Sequence, residues 1–277
     1  MGAIIWLASY PKSGNTWTRA LLHNLLVNED EPIDINRLNS FCLGESKGEY
    51  YSQLDQRPLT EISDREIAEL RLKVHKSLTF ASPDSVFVKT HNYLGEWEGV
   101  PLVNMEVTAG AIYVLRNPLD VVISFSHHFG VGLDDAITQM AHLEMGTPTT
   151  ANNVRQVYGS WSSNVKSWTG DPNPGIHVVR YEDLTAKPLQ TVTAMARFLG
   201  LNPPRDRIQR TIDNSSFKVL KSQEEKHGFV ERSAFARFFR AGKTGQWRDV
   251  LTPEQVGLMV EAHREQMQKF GYVPKGY

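Results

Sequence analysis

The feature that most constrains the fold is a short apolar run, Ala3–Ser9 (AIIWLAS), that leads straight into a turn and then into a helical pattern. A continuous apolar run with β-branched and aromatic members is typical of a strand that is buried on both faces. Pro11 and Gly14 mark the turn, and Trp17, Leu21, Leu22, Leu25 and Leu26 then recur at helical spacing. The order strand, tight loop, helix indicates an α/β fold.

Three more runs have the same character and lie at residues 85–89 (SVFVK), 111–116 (AIYVLR) and 176–181 (IHVVRY). Each is expected to be followed by a turn and a helix. We therefore predict a single domain over residues 1–277, with a central, mostly parallel sheet flanked by helices, as in P-loop nucleotide kinases. Ligands of such sheets bind beyond the carboxyl ends of the strands, which is where Lys12, Lys89 and Arg116 lie.

The segments between these runs are less patterned. Residues 27–83 are more polar than the apolar runs on either side and are a candidate insertion that borders the acceptor. Within them, a helix is predicted over residues 63–80. Residues 222–237 are rich in charge and are expected to form a mobile loop. Thr252, Pro253 and Gln255 have the order of a capping box with proline at the first helical position, so a helix is predicted from there to about Lys269.

Charge and composition limit the classes of partner. The chain has 277 residues, a formal net charge of −1 and one cysteine, Cys42. With no global positive charge, we expect no nucleic-acid or membrane partner, and any site for a polyanion must be a local cluster of cations. No run of about 18 apolar residues occurs, and a single cysteine forms no internal disulfide or zinc site, so a soluble, cytoplasmic protein without a bound metal is expected.

The turn after the first strand has the chemistry of an anion site. In YPKSGNTW at residues 10–17, a helix N-terminus offers free N–H groups, Gly14 permits close backbone approach, and Lys12 adds a full charge. ATP-using enzymes carry GxxxxGK[ST] at this position, and the next strand end reads VKTH, with Lys and His instead of a magnesium-binding carboxylate. From the loop alone, a simple helix-capping turn stays open as an alternative.

Six segments in a fixed order resemble the cytosolic-type sulfotransferases that use PAPS (3′-phosphoadenosine 5′-phosphosulfate). They are YPKSGNTW at 10–17, VKTH at 88–91, RNPLDVVIS at 116–124, RYEDL at 180–184, SSFKVLK at 215–221 and RAGKTGQW at 240–247. The resemblance implies that the protein transfers a sulfuryl group from PAPS to an acceptor hydroxyl on a small molecule by in-line displacement.

The resemblance also implies residue roles. His91 is the expected general base, and Lys12 and Lys89 are expected to stabilise the reacting groups. The residues implied in binding the donor are Lys12, Ser13, Gly14, Asn15, Thr16, Trp17, Arg116, Ser124, Tyr181, Ser215, Phe217, Arg240 and Gly242. Within this set, residues 12–16 are assigned to the 5′-phosphosulfate, and Arg116, Ser124, Arg240 and Gly242 to the 3′-phosphate. Trp17, Tyr181, Ser215 and Phe217 are assigned to the adenine and its surroundings, or else to ordinary packing.

Three departures from the family pattern stand out. Asn15 replaces the usual Thr, and Ala241 replaces the usual Lys, with Lys243 as a possible substitute cation. The family's KxxxTVxxxE dimer motif has no clean match, so a homodimer stays open. Two alternative functions also stay open: a magnesium-dependent kinase that phosphorylates small molecules with ATP, and a non-catalytic nucleotide-binding module.

The acceptor is not defined by any motif. His127 and His128 are interpreted as pocket lining or plain helix residues, and Cys42 as a bystander. The aromatic residues Tyr50, Tyr51, Tyr93 and Trp97 either line an acceptor pocket or pack in the core. The pocket is expected to be shaped by residues 27–83, 130–151 and 222–237.

Overall fold

The computed structural model describes residues 2–277. Its strands are β1 (Ala3–Ser9), β2 (Cys42–Gly44), β3 (Ser85–Thr90), β4 (Glu96–Trp97), β5 (Val100–Pro101), β6 (Thr108–Leu115) and β7 (Ile176–Arg180). Its helices are α1 (Asn15–Val27), α2 (Leu38–Phe41), α3 (Gly48–Ser52), α4 (Asp64–Leu78), α5 (Pro118–Phe129), α6 (Leu133–Ala141), α7 (Trp161–Thr169), α8 (Tyr181–Ala186), α9 (Pro188–Phe198), α10 (Arg205–Asn214), α11 (Phe217–His227), α12 (Trp247–Val250) and α13 (Pro253–Lys269).

Five strands form one parallel sheet in the order β2-β3-β1-β6-β7. The register places Ala8 of β1 beside Thr90 of β3 and beside Tyr113 of β6, so the carboxyl ends of these three strands lie next to one another. The predicted central parallel sheet flanked by helices is confirmed. The convergence of Lys12, Lys89 and Arg116 follows from this register.

Alternation along β1 explains why the sheet is buried on both faces. Trp6 and Ala8 point into one core, which α5 and α13 help to cover, and Leu7 points into a second core with Leu21 and Leu25 of α1. Helices cover both faces of a parallel sheet, so its strands are apolar throughout. This is the pattern that made β1 recognisable in the sequence.

Three segments differ from the sequence prediction. Residues 27–83 contain the edge strand β2, which is only three residues long and pairs with β3 across a wide sequence separation. The β4–β5 hairpin, rather than a helix, follows β3. Residues 222–227 belong to α11 and not to a loop. The Ser216 side chain caps this helix by accepting a hydrogen bond from the Val219 N–H, and the Leu220 side chain is buried.

Two helices begin as the sequence predicts. In α13, Thr252 and Gln255 form the reciprocal capping box, with Pro253 in the first turn. The helix predicted over 63–80 is α4, which starts at a second capping box formed by Ser63 and Glu66. Its apolar face, formed by Ile67, Leu70, Val74 and Leu78, is buried. Among residues 2–277, no helix combines the length and apolar character needed to cross a membrane.

Candidate active site

The carboxyl ends of β1, β3 and β6 open into a cavity of about 340 Å³. Most of the residues predicted from the sequence line it: Lys12, Gly14, Asn15, Thr16, Trp17, Lys89, His91, Arg116, Ser124, Tyr181, Phe217, Arg240 and Gly242. Ser13 and Ser215 are fully buried and lie behind the cavity wall. Residues from six separate segments of the chain therefore meet in one place.

The loop between β1 and α1 has a backbone shaped for an anion. Lys12 and Gly14 have positive φ angles of 68° and 110°. A Cβ atom on Gly14 would lie 2.6 Å from a ring carbon of Tyr181, so only glycine fits there. Left-handed residues just before a helix N-terminus produce concave sets of N–H groups that bind anions. At Lys12, which is not glycine, this conformation is strained, as is common at functional sites.

The surroundings of Lys12 disfavour the protonated, charged form of its side chain. Its Nζ lies 4.0 Å from the centroid of the Phe238 ring. Burial, followed by the positive charges of Lys89 and Arg116, lowers the pKa of Lys12 to about 7, although Glu231 opposes this. An anion bound beside Lys12 would remove this penalty.

His91 is fixed in the orientation of a base. Its Nδ1 lies 2.8 Å from the carbonyl oxygen of Ser9, which accepts a hydrogen bond and so requires that Nδ1 carry the proton. Nε2 is then left as the basic nitrogen of the neutral ring. Burial and the nearby Lys89 lower the pKa of His91 to about 3, so the ring is neutral at physiological pH.

A buried polar network holds the chain at His91. The neighbouring Asn92 donates 2.8 Å to Glu45 and accepts 2.6 Å from the backbone N–H of Val157. Asn164 donates 3.1 Å to the carbonyl of His91 itself. Because buried groups in such networks have fixed partners, the end of β3 has little freedom to move.

Two guanidinium groups line the cavity beside the loop. Arg116 donates to the carbonyls of Lys12 (3.3 Å) and Lys243 (3.0 Å), and its guanidinium lies 4.2 Å from the centroid of the Tyr181 ring. Burial and the charge of Arg116 lower the pKa of Arg240. Lys243 is exposed and contributes its carbonyl, whereas Ala241 lines the cavity. The pair of cations is therefore Arg116 and Arg240.

Asp120 explains why the segments at 116–124 and 240–247 belong together. Its carboxylate accepts hydrogen bonds from the backbone N–H groups of Gly245 (2.6 Å) and Trp247 (3.2 Å). It thereby attaches residues 240–247 to the first turn of α5. Gly242 has φ 60° and lies directly against the Phe217 ring, where a Cβ atom would clash.

Three aromatic residues, Trp17, Tyr181 and Phe217, form one wall of the cavity, next to Arg116. The centroids of Trp17 and Tyr181 are 5.3 Å apart in an edge-to-face arrangement, and Phe217 lines the same side of the cavity. The Trp17 indole donates 2.9 Å to the carbonyl of Ser215. The Ser215 hydroxyl accepts from Asn24 (2.9 Å), so this residue orients Trp17 from behind.

Two loop residues are placed differently from what their expected role suggests. The Asn15 amide donates to the Leu7 carbonyl (2.9 Å) and to the Ser9 hydroxyl (3.3 Å), so its donor is used within the fold. The Ser13 hydroxyl is buried and has no hydrogen-bond partner in residues 2–277. Both serve the shape of the loop, and Ser13 retains a free donor.

Glu231 is a site residue that the sequence does not reveal. Its carboxylate accepts from the buried Arg19 at 2.6 and 2.8 Å and from the Thr16 hydroxyl at 3.3 Å, and it lies 3.9 Å from Lys89 Nζ. Burial alone would raise its pKa, but Lys89 and Arg19 lower it to about 2. The available signal was Arg19 on the buried side of α1, because a buried arginine requires an anionic partner.

Other residues line the cavity beyond His91. His128, Phe129, Tyr158 and Phe238 form an aromatic side, with Thr147 and Gln156 next to it. His127, which precedes His128, is exposed and is not among the lining residues. None of Tyr50, Tyr51, Tyr93 and Trp97 is among the lining residues of the described chain. Tyr51 is part of the core.

Comparisons with known proteins agree with this geometry. The family model of the sulfotransferase domain matches residues 4–271. Human sulfotransferase 1E1 is 25% identical over 279 residues, covering 95% of this chain and 83% of the human protein. Cytosolic sulfotransferase 10 of Arabidopsis thaliana is 27% identical over 265 residues, covering 91% of this chain and 74% of the plant protein.

Solved structures share the fold. Retinol dehydratase in complex with retinol and PAP (the donor without its sulfuryl group) has a TM-score of 0.65 at 22% identity, covering 96% of this chain and 81% of that one. A mouse sulfotransferase complexed with PAP has a TM-score of 0.64 at 20% identity, covering 98% of this chain and 90% of that one. Since the family model spans nearly the whole chain, the protein belongs to the sulfotransferase family.

Proposed function

We propose that this sulfotransferase takes its sulfuryl group from PAPS and transfers it to a hydroxyl of a small-molecule acceptor, with His91 as the general base. The observation that carries the proposal is that Lys12, Lys89 and His91 line one cavity while the Ser9 carbonyl fixes the tautomer of His91. A base needs a free lone pair to accept a proton, and the bond from Nδ1–H to the Ser9 carbonyl leaves Nε2 of His91 unprotonated.

The cavity supports PAPS as the donor because its unused donors match two separated anionic groups. Lys12 and the N-terminus of α1 suit the phosphosulfate. Arg116, which has an unpartnered Nε, and Arg240 suit the 3′-phosphate. The aromatic rings of Trp17, Tyr181 and Phe217 in the same cavity suit a purine ring.

The reaction follows from these positions. Transfer forms a bond between the acceptor oxygen and sulfur and breaks the bond between sulfur and the phosphate oxygen, which leaves with the electron pair as PAP. His91 Nε2 accepts the proton of the acceptor hydroxyl. Lys12 and Lys89 stabilise the charge that develops on the leaving and transferring oxygens, and preorganised groups of this kind are worth about 3–4 kcal/mol each.

Names of relatives support a small-molecule acceptor. They include a flavonol 3-sulfotransferase of Flaveria bidentis, 24% identical over 284 residues, and the retinol complex described above. A single functional domain over residues 1–277, a cytoplasmic location and the absence of nucleic-acid and membrane partners stay predictions, and so does the oligomeric state.

The test is His91→Ala, assayed by transfer of radiolabelled sulfate from PAPS to a panel of phenols and alcohols. Loss of a general base typically lowers the rate by about 10²–10⁴, while PAP affinity should stay within about twofold. His127→Ala is the matched control, because His127 is exposed and outside the cavity. Full activity in His91→Ala would disprove the role of the base.

The same assay separates the alternative functions. A kinase requires ATP and magnesium, whereas the proposed enzyme transfers sulfate in the presence of a chelator. A non-catalytic module binds PAP but transfers nothing to any acceptor. Turnover of ATP with magnesium, without turnover of PAPS, would replace the proposal by the kinase function.

A further inference from the structure

A second cavity, of about 420 Å³, adjoins the first on the side away from the aromatic wall. Lys89, Thr147, Gln156 and Glu231 line both cavities, so the two adjoin at these side chains. The residues that line only the second cavity are Asn39, Gly44, Ser46, Lys47, Pro148, Thr150 and Asn153. The second cavity is therefore the nearest further space for a molecule whose hydroxyl faces His91.

The walls of the second cavity are built by backbone pairing rather than by loose loops. Residues 44–48 follow β2, and Lys47 forms an antiparallel bridge with Asn153. The backbone N–H of Val154 donates 2.9 Å to the Ser46 carbonyl, and that of Gly48 donates 2.8 Å to the Asn152 carbonyl. These bonds hold the two walls at a fixed separation.

The polar side chains on these walls have unused hydrogen-bonding capacity. Within residues 2–277, the side chains of Ser46, Asn153 and Gln156 make no hydrogen bond to the protein, although Ser46 is largely buried. Amide and hydroxyl groups pair with hydroxyls as both donors and acceptors. Lining of this kind binds a ligand through hydrogen bonds, whereas the lining beside His91 is aromatic.

The two lysines that line this cavity each have an anionic neighbour inside the protein. Lys47 pairs with Glu49 at 3.4 Å, and Lys89 lies 3.9 Å from Glu231. An anionic or cationic ligand would have to compete with these partners. An uncharged, hydroxyl-rich ligand can bind without breaking either of these ion pairs.

On these observations, and resting on the proposed function, we propose that the acceptor has two parts: an aromatic ring that carries the reacting hydroxyl, and a neutral, hydroxyl-rich group such as a sugar. The ring lies against Phe129 and Tyr158 beside His91. The hydroxyl-rich group occupies the second cavity and bonds to Ser46, Asn153 and Gln156.

Two probes differ only in this second group. The glucoside 4-hydroxyphenyl β-D-glucopyranoside and 4-methoxyphenol present the same phenol to His91, and only the first carries a sugar. With the full chain saturated by PAP, calorimetry should show the glucoside binding about tenfold more tightly, as expected for two or three hydrogen bonds between uncharged groups. Equal affinity of the two probes, or no binding of the glucoside, would overturn the inference.

The double variant Ser46→Ala/Asn153→Ala assigns the preference to the second cavity. It should reduce the affinity ratio of glucoside to phenol to about threefold or less, because each lost hydrogen bond costs about two- to tenfold. Asn152→Ala is the matched control, since Asn152 is an exposed neighbouring amide outside the lining. A double variant that keeps the full ratio would also contradict the inference.

Transfer is measured separately on the same two probes with PAPS in place of PAP. If the glucoside binds but neither probe is sulfated, the proposed function fails while the sugar site stands. If 4-methoxyphenol is sulfated as efficiently as the glucoside and binds as tightly, the proposed function stands and the sugar site is disproved.

Discussion

At the scale of single residues, the site gathers more positive charge than it can fully ionise. Lys12 has its pKa lowered to about 7 by burial and by Lys89, and burial also lowers the pKa of Lys89. The motif at residues 10–17 predicted that Lys12 would meet an anion, but not that its charge would depend on one. A buried Arg19 indicates that some anion must pair with it, but not that the anion is Glu231, which lies 212 residues away in the sequence.

Lys12 should give PAP binding a pH dependence. Because its pKa is about 7 in the free protein and a bound anion favours the charged form, affinity should fall as the pH rises through 7 toward 9. Binding near pH 8 should then take up a proton, which calorimetry in buffers of different ionisation enthalpy measures. Lys12→Arg stays charged throughout, so its affinity should not vary over this range, and an unchanged pH slope in this variant would contradict the assignment.

At the scale of elements, a strand or helix is predictable from the sequence when the residues that specify it are close together in the chain. The strands β1 and β6 are long apolar runs, and α13 starts at a capping box, so each is evident within a few residues. The strand β2 has three residues and exists only because β3 supplies its hydrogen bonds. The predicted loop at 222–237 overlaps residues 222–227 of α11, and the sequence gives little sign of this helix because Leu220 and Glu224 are the only buried residues within 217–227.

The capping box of α13 should contribute to stability but not to the site. Thr252→Ala removes the acceptor for the Gln255 N–H and should lower the free energy of unfolding by about 1 kcal/mol. PAP affinity should be unchanged, because neither Thr252 nor Gln255 lines the cavity. Thr252→Ser keeps the hydroxyl and is the control. Urea unfolding measures both, and equal destabilisation by Ser and Ala would show that the cap is not the cause.

At the scale of the whole molecule, several histidines are kept neutral by burial. Burial lowers the pKa of His91 to about 3 and those of His128 and His263 to about 4, and it also lowers the pKa of His75. They lie in different parts of the molecule. Only His91 and His128 belong to the cavity, and His263 packs against Trp161. The number of histidines was evident from the sequence, but their burial depends on long-range packing.

Stability should therefore fall on mild acidification. Since the unfolded histidines titrate near 6.5 and the folded ones lower, the unfolded state binds more protons below pH 6.5, and stability decreases from there to pH 4.5. Each such histidine contributes up to about 1.4 kcal/mol per pH unit within this window. Urea unfolding at several pH values measures the slope. His263→Gln should reduce it, and an unchanged slope would exclude His263 as a contributor.

The ion pair between Arg19 and Glu231 has a consequence for anion binding. Glu231 comes from the segment that follows α11, yet it lies among Arg19, Thr16 and Lys89, which belong to the anion-binding end of the cavity. The protein thus carries its own counter-ion for the cations at this end of the cavity. A phosphosulfate that binds beside Lys12 and Lys89 meets a positive charge that Glu231 has already partly offset, so its affinity reflects the net charge of the site rather than the full attraction of isolated cations.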